Sequence, residues 1–404
     1  MARTAHAPAQ TYDAIVIGGG VIGSSIAFHL ARAGAGKVAL VERHTICAGN
    51  TRRSGAIVRM HYSNDPETRL ALASLPYFQH WDDLVGGDCG FTPTGFTILV
   101  GPENLERLQR NVARLRALGV QTSVLGPDDL REVIPALQTA GVAAAAYEPA
   151  SGYADAVKTT EALAAAAQRL GVDVLEGTAV TGIETRGGRV TAVLTADQRL
   201  EAPVVVCAAN TWAPALLRTA GVELAVTPRR AQVAYFQRPT AYAGPHPVVL
   251  DTTTALYTRA QGTDQILGGA ADESGASPTD PDDNDPAADH GFSEAVMGRM
   301  GQRLPTLSRM PLVRAEAGMF DISPDTRAIL DAAPGVTGLY IAAGFSGTGF
   351  KKAPAVGLGM AELITQGRAS SVDLTPFRFG RFADGAAIHG DDEYVLPRSW
   401  GHSF

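Results

Sequence analysis

Cysteine is scarce in this sequence. Cys47, Cys89 and Cys207 are the only three in 404 residues, and their spacing fits neither a metal site nor a disulfide framework. A reducing cytoplasm is the expected home. Long apolar runs are absent too. None approaches the roughly 18 residues a membrane helix needs, and the alanine-rich stretch 142–146 is short. The first eleven residues hold one arginine and no apolar core, so no secretory signal is read there. Charge is sparse and mildly acidic, with a net −7 and no basic run. This argues against nucleic acid or an anionic membrane as partner. Internal repeats and low-complexity tracts are missing. What remains is an ordinary globular composition, 45% hydrophobic and 19% charged, in a chain long enough for two domains.

The most informative stretch is Tyr12 to Gly34. Ala14 to Ile17 is a short unbroken apolar run, as expected of a parallel strand covered on both faces. Gly18, Gly20 and Gly23 then fit G-x-G-x-x-G. The first glycine permits a tight turn, the second lets the backbone approach a pyrophosphate, and the third lets helix and strand pack closely. A helix beginning at Val21 and Ile22 would aim its free N–H groups at phosphates. A second apolar strand, Val38 to Val41, ends in Glu42, 24 residues after Gly18. That is near the spacing of a carboxylate that bonds a ribose hydroxyl, which favours FAD or NAD over NADP. Arg43 follows at once.

The small, polar, basic loop Cys47 to Tyr62 should sit at the carboxyl end of the strands, where ligands bind. Further along, helices are read at 70–85, 102–118, 127–133 and 156–170. Strands are read at 91–100, 172–175, 179–184, 190–195, 204–208, 226–236 and 256–268, with an Arg186-Gly187-Gly188 hairpin turn. Met319 to Leu330 reads as strand around a Ser-Pro-Asp turn. The aspartate-rich segment 280–289 reads as a solvated loop, without ligand geometry for a metal; no metal is expected. Leu339 to Ala343 reads as a final buried strand. Gly344, Phe345, Ser346, Gly347, Thr348, Gly349, Phe350 and Lys351 form a glycine-rich turn before a helix at 353–365. A second helix N-terminus is thus aimed at a ligand.

Four motifs together resemble the D-amino-acid-oxidase-type FAD oxidoreductases, and within them the sarcosine oxidase branch, monomeric or heterotetrameric β subunit. They are the glycine motif through Glu42; Gly49-Asn50-Thr51-Arg52-Arg53 with Ile57-Val58-Arg59; Met319 to Asp325; and Gly344 to Lys351. The last is close to a Gly-Phe-Ser-Gly-His-Gly-Phe-Lys signature, with Thr348 in place of the histidine. The resemblance implies an α/β fold. A Rossmann-type FAD-binding domain (10–85, 150–228 and 325–385) would be interleaved with a mixed-sheet α+β substrate domain (86–149 and 229–324), followed by a tail, 386–404.

The resemblance also implies oxidation of the C–N bond of a small secondary, N-methyl or imino amino acid. Hydride would pass to flavin N5, and the imine would then hydrolyse. Arg59 and Lys351 match the arginine and lysine that hold the substrate carboxylate. A guanidinium fork and an ammonium suit that task. Tyr257 matches an active-site tyrosine, and His61 is placed to line the pocket. Arg43, Ser54, Val180, Ala209 and Trp212 join the motif residues as expected cofactor contacts. The usual tethers to flavin are replaced here by Gly318 and Ala154, so noncovalent FAD is expected. Ile266 stands where monomeric enzymes carry an oxygen-activating lysine, which leaves oxygen and another electron acceptor both open. Two further readings stay open: a 2-hydroxy-acid oxidase or dehydrogenase, and the flavin-carrying subunit of a heteromeric amine dehydrogenase. Homo- and hetero-oligomers are both compatible with the sequence.

Overall fold

The structure is a computed structural model, and it describes residues 10–240, 246–270, 279–283 and 285–396. It is organised around a six-stranded sheet, in the order Ile329–Ala332, Leu339–Ala343, Val205–Cys207, Ala14–Ile17, Val38–Val41, Asp173–Leu175. Neighbours run parallel except at the Ile329–Ala332 edge. Strands of a parallel sheet are covered on both faces and so are apolar throughout, and all four residues of Ala14–Ile17 and of Val38–Val41 are buried.

On one face, Val16, Leu40 and Val206 pack on helices Val21–Arg32, Ala156–Arg169 and Ala353–Gln366 through Ile26, Leu163 and Val356. The first and last of these helices touch closely. A Cβ on Gly357 would run into Ser25 Oγ, and Ser25 Oγ donates to the Ala353 carbonyl at 2.7 Å. On the other face, Ile15, Val41 and Ile341 pack on Val193, Leu200 and Leu217. These belong to a four-stranded sheet (Gln10–Thr11, Arg199–Glu201, Arg189–Thr195, Val180–Arg186) and to helix Ala213–Thr219. The hairpin turn at 186–189 is present.

A second, eight-stranded mixed sheet has the order Leu312–Ile322, Thr227–Gln237, Gln265–Ala270, Leu256–Gln261, Val248–Asp251, Phe96–Val100, Ala144–Glu148, Ser123–Leu125. Its pairs are antiparallel except Val248–Asp251 with Phe96–Val100. One face is covered by helices Pro127–Val133 and Phe292–Arg303 through Leu130, Val296 and Met300. The opposite face carries Phe96, Ile98, Leu250 and Ala260.

Some elements differ from expectation in detail. The stretch 256–268 is two strands joined by a turn, because Gly262 takes a left-handed φ of 61° and reverses the chain. The expected helix 70–85 starts earlier, where Asn64 Oδ1 caps it by accepting from Glu67 N–H at 3.0 Å, and it ends at Gln79. Among the described residues no helix is long and apolar enough to cross a membrane. Trp400, His402 and Phe404 of the tail lie outside the described residues.

Candidate active site

A long cleft runs between the carboxyl ends of the parallel strands and the eight-stranded sheet. Its two halves share Val21, Ile22, Asn50, Thr51, Arg53, Asn210, Met319 and Phe345 as lining residues.

The first half is built by the glycine turn. Gly18 has φ 110°, and a Cβ on Gly23 would run into the Gly18 carbonyl oxygen, so strand and helix can touch only without side chains there. Gly20 starts helix Val21–Arg32 with no side-chain cap and no acidic residue in the first turn. The positive end of a 12-residue helix is therefore open to an anion in the cleft. Glu42 stands at the lip. Its carboxylate accepts from Gly19 N–H at 2.8 Å and from His44 N–H at 2.9 Å, which fixes it facing the space beside Gly18 and Gly20. Arg43 lies over the Trp212 ring at 4.1 Å. Both donate to Asp282, Arg43 at 3.1 Å and Trp212 Nε1 at 2.8 Å. Thus the aspartate-rich segment is not wholly solvated: Pro281, Asp282 and Pro286 close the rim. Val180 and Ala209 also line this half.

The second half is built by the loops after Glu42 and after Ala343. Asn50 cross-links three segments: its Nδ2 donates to Asn210 Oδ1 at 2.7 Å, and its Oδ1 accepts from Met319 N–H at 2.8 Å. The glycine-rich turn passes through left-handed φ at Gly344, Ser346 and Gly347. A Cβ on Gly347 would meet the Phe320 ring at 2.8 Å. Asp321 latches this turn by accepting from Gly344 N–H at 2.7 Å. Burial pushes its carboxyl up to about 6, against the pull of the Phe345 and Gly344 N–H groups.

Positive charge collects below this half. Lys351 is 7% exposed and Arg59 5%, and both line the cleft. Arg59 Nη1 donates to the His61 carbonyl, and its guanidinium lies 4.4 Å from the Tyr62 ring centre. Burial, with Arg59 and Lys352 nearby, holds the Lys351 amine well below the usual lysine range. Lys352 is fully buried and donates to Glu67 Oε1 at 2.6 Å and to Thr348 Oγ1 at 2.7 Å. Tyr257, Ala270, Leu250, Ile57 and Gln232 form the facing wall from the eight-stranded sheet and its neighbours.

Most of the expected site residues therefore meet in one cleft: Gly18, Gly20, Val21, Ile22, Glu42, Arg43, Asn50, Thr51, Arg53, Ser54, Arg59, Val180, Ala209, Trp212, Tyr257 and 345–351. Four do not line it. Gly23 and Gly344 support the turns from behind, and Arg52 is exposed to solvent. His61 is the substantive correction. Its ring is fully buried because it packs on and bonds Tyr394, with Nε2 and the phenol oxygen 2.7 Å apart, and it is the His61 backbone carbonyl that accepts from Arg59. Sequence reasoning missed Asp321 and Arg327 as lining residues. Their arrival depends on how the Ser323–Arg327 turn folds, where Asp325 Oδ1 accepts from Arg327 N–H at 3.0 Å.

The model of one family matches residues 13–363, and it is described as FAD dependent oxidoreductase. This chain belongs to that family. The FAD dependent oxidoreductase domain-containing protein 1 of Bos taurus is 29% identical over 94% of this chain and 86% of its own length. Sarcosine oxidase subunit beta of Rhodobacter capsulatus is 26% identical, over 95% and 92%. The crystal structure of L-proline dehydrogenase from P. horikoshii superposes with a TM-score of 0.87 at 28% identity, covering 93% of this chain and 99% of that one.

The protein is thus an FAD-dependent oxidoreductase, and the cleft fits the cofactor. The uncapped helix end at Gly20–Ile22 suits a pyrophosphate, and Glu42 suits an unphosphorylated ribose. The second half, floored by 345–351, is left for a flavin ring and a substrate.

Proposed function

We propose that this oxidoreductase oxidises the C–N bond of a small secondary, N-methyl or imino amino acid. The carrying observation is that Arg59 and Lys351, two buried basic side chains, share the half of the cleft facing the apolar wall of Leu250, Tyr257 and Ala270. A guanidinium fork and an amine brought together on one side of an apolar pocket suit a substrate carboxylate. The names of relatives agree with this reading: a sarcosine oxidase subunit and an L-proline dehydrogenase both act on amines that carry a carboxylate.

Bound FAD would supply the two-electron acceptor. The chain's own residues do the rest. Arg59 grips the carboxylate with its fork, which orients the carbon beside nitrogen. The amine must lose its proton before oxidation. Lys351 Nζ is the group able to take it, because burial and its cationic neighbours disfavour its own proton, and the ammonium so formed adds a point charge beside the carboxylate. Tyr257 and Leu250 keep water from the reacting carbon. Noncovalent FAD is part of the proposal: Gly318 and Ala154 offer no nucleophile, and burial pushes the thiol of Cys47, which lies behind the loop, up to about 11. Among the described residues lining the flavin half there is no histidine to serve as base for an alcohol, so the amine reading is preferred. Ile266 is buried and does not line the cleft, so it gives no oxygen-activating charge; Lys351, once it holds the substrate proton, is the lysine proposed for that task.

Arg59→Ala tests the reading. The loss of a buried charged partner should weaken kcat/KM for the acid substrate by about 2–4 kcal/mol, carried mainly by KM. An unchanged KM would remove Arg59 from the role.

A further inference from the structure

The last described segment, residues 386–396, lies beyond the part of the chain that the family model covers. It is nevertheless tied to residues beneath the cleft. Ile388 N–H donates to Asp325 Oδ2 at 3.0 Å. Glu393 Oε1 stands 3.8 Å from the guanidinium of Arg327, which lines the cleft. Tyr394 is buried, its hydroxyl 2.7 Å from His61 Nε2 and its ring stacked on the imidazole at 5.9 Å. The outer end is fixed by Asn104, whose Nδ2 donates to the Val395 carbonyl and whose Oδ1 accepts from Val395 N–H, both at 2.8 Å. A terminal segment is ordered only when such ties offset its entropy. These ties converge on the cation floor.

The route to Arg59 is short. His61 is gripped at its ring by Tyr394 and at its backbone carbonyl by Arg59 Nη1. The Arg59 guanidinium also lies 5.5 Å from the Phe96 ring centre, and Phe96 and Tyr394 belong to one apolar cluster. Burial, with Arg59 and Arg114 nearby, pushes His61 down to about 3. The ring is therefore neutral at ordinary pH, and its contact with Tyr394 persists.

We infer that Tyr394 is a positioning residue for carboxylate binding: the C-terminal strap fixes His61, and His61 fixes the guanidinium of Arg59 through its carbonyl. The inference rests on the reading of Arg59 as the carboxylate grip. Tyr394 does not itself line the cleft. A guanidinium fork binds a carboxylate bidentately only when its plane is held, so a loosened strap costs binding rather than chemistry.

The test uses the holoenzyme, with acetate as the probe, titrated against the oxidised flavin band. Tyr394→Phe keeps the ring and removes only the hydroxyl. Acetate Kd should weaken by about five- to twentyfold, as for one lost buried hydrogen bond, with flavin content unchanged. With the amine substrate, KM should rise by a similar factor while kcat stays within about twofold. A role in stability alone would lower the melting temperature and leave Kd and KM in place. Acetate binding within twofold of wild type in Tyr394→Phe, with a tenfold or greater loss in Arg59→Lys, overturns the inference and leaves the Arg59 reading standing. Unchanged binding in Arg59→Lys overturns both. If Tyr394→Phe does not accumulate, Asn104→Ala releases the strap at Val395, remote from the cleft. Weaker acetate binding there supports the inference, and unchanged binding overturns it.

Discussion

Lys352→Met is the most demanding test of the cation floor. Lys352 and Glu67 are both fully buried, 2.6 Å apart, joining helix Asp65–Gln79 to the start of helix Ala353–Gln366. The lysine also donates to Thr348 Oγ1 at 2.7 Å, and so holds the glycine-rich turn. Methionine fills a similar volume but leaves the Glu67 carboxylate buried without a cation. Glu67 Oε2 already lacks a hydrogen-bond partner, so no reserve contact takes over. Breaking such a pair costs about 3–5 kcal/mol, which corresponds to a melting temperature lower by roughly 3–6 °C in a chain of this size. A carboxylate stranded in an apolar site takes up a proton, so the deficit should shrink as pH falls toward 5. The double variant Glu67→Gln/Lys352→Met removes the stranded charge and should recover most of the loss. Calorimetry of the three variants and the wild type at pH 5 and pH 8 checks this. A single variant as stable as wild type at pH 8, or a double variant no better than the single, would refute the reasoning.

Three further predictions follow from the same geometry. Gly23→Ala places a Cβ against the Gly18 carbonyl oxygen. The protein should purify with little or no FAD, as read by the ratio of flavin to protein absorbance; a normal ratio would contradict the close packing. Asp321 has a folded-state value raised to about 6 by burial, so its contribution to stability is present below about 4 and is lost as pH rises through 6. The stability difference between wild type and Asp321→Asn should therefore change by on the order of 1–3 kcal/mol between pH 4 and 7, to the disadvantage of the wild type; a constant difference would show that Asp321 does not titrate there. Acid precipitation should release all the flavin into the supernatant, and yellow colour retained in the pellet would reveal a covalent tether.

The parts of the fold that could be read in advance are those where one local rule decides the outcome. Ala14–Ile17 and Val38–Val41 are parallel strands buried on both faces, and an unbroken apolar run can do little else. Their dinucleotide-binding context is legible in the glycine spacing and Glu42, and FAD in the resemblance that the later motifs carry. Elements that depend on distant partners were harder to read. Ala144–Glu148 looks only alanine-rich, yet it is a strand because Phe96–Val100 and Ser123–Leu125 pair with it on either side. Val248–Asp251 carries no strand signal of its own beyond four residues, yet it sits between Leu256–Gln261 and Phe96–Val100. The same limit applies at the site. Arg59 and Lys351 stand in motifs legible in the sequence and line the cleft, but the direction of the His61 ring is set by Tyr394, which lies 333 residues away. Nothing near His61 in the sequence carries that information.

The most direct test of the central claim is the visible spectrum of the purified holoenzyme under anaerobic conditions. The flavin band is followed against sarcosine, proline-like imino acids, D- and L-amino acids and 2-hydroxy acids, in wild type and in Arg59→Ala. The account predicts that an amino or imino acid bleaches the band, and that Arg59→Ala needs about 30- to 900-fold more of it for the same bleaching. Bleaching by 2-hydroxy acids alone, or equal bleaching in the two proteins, would contradict it.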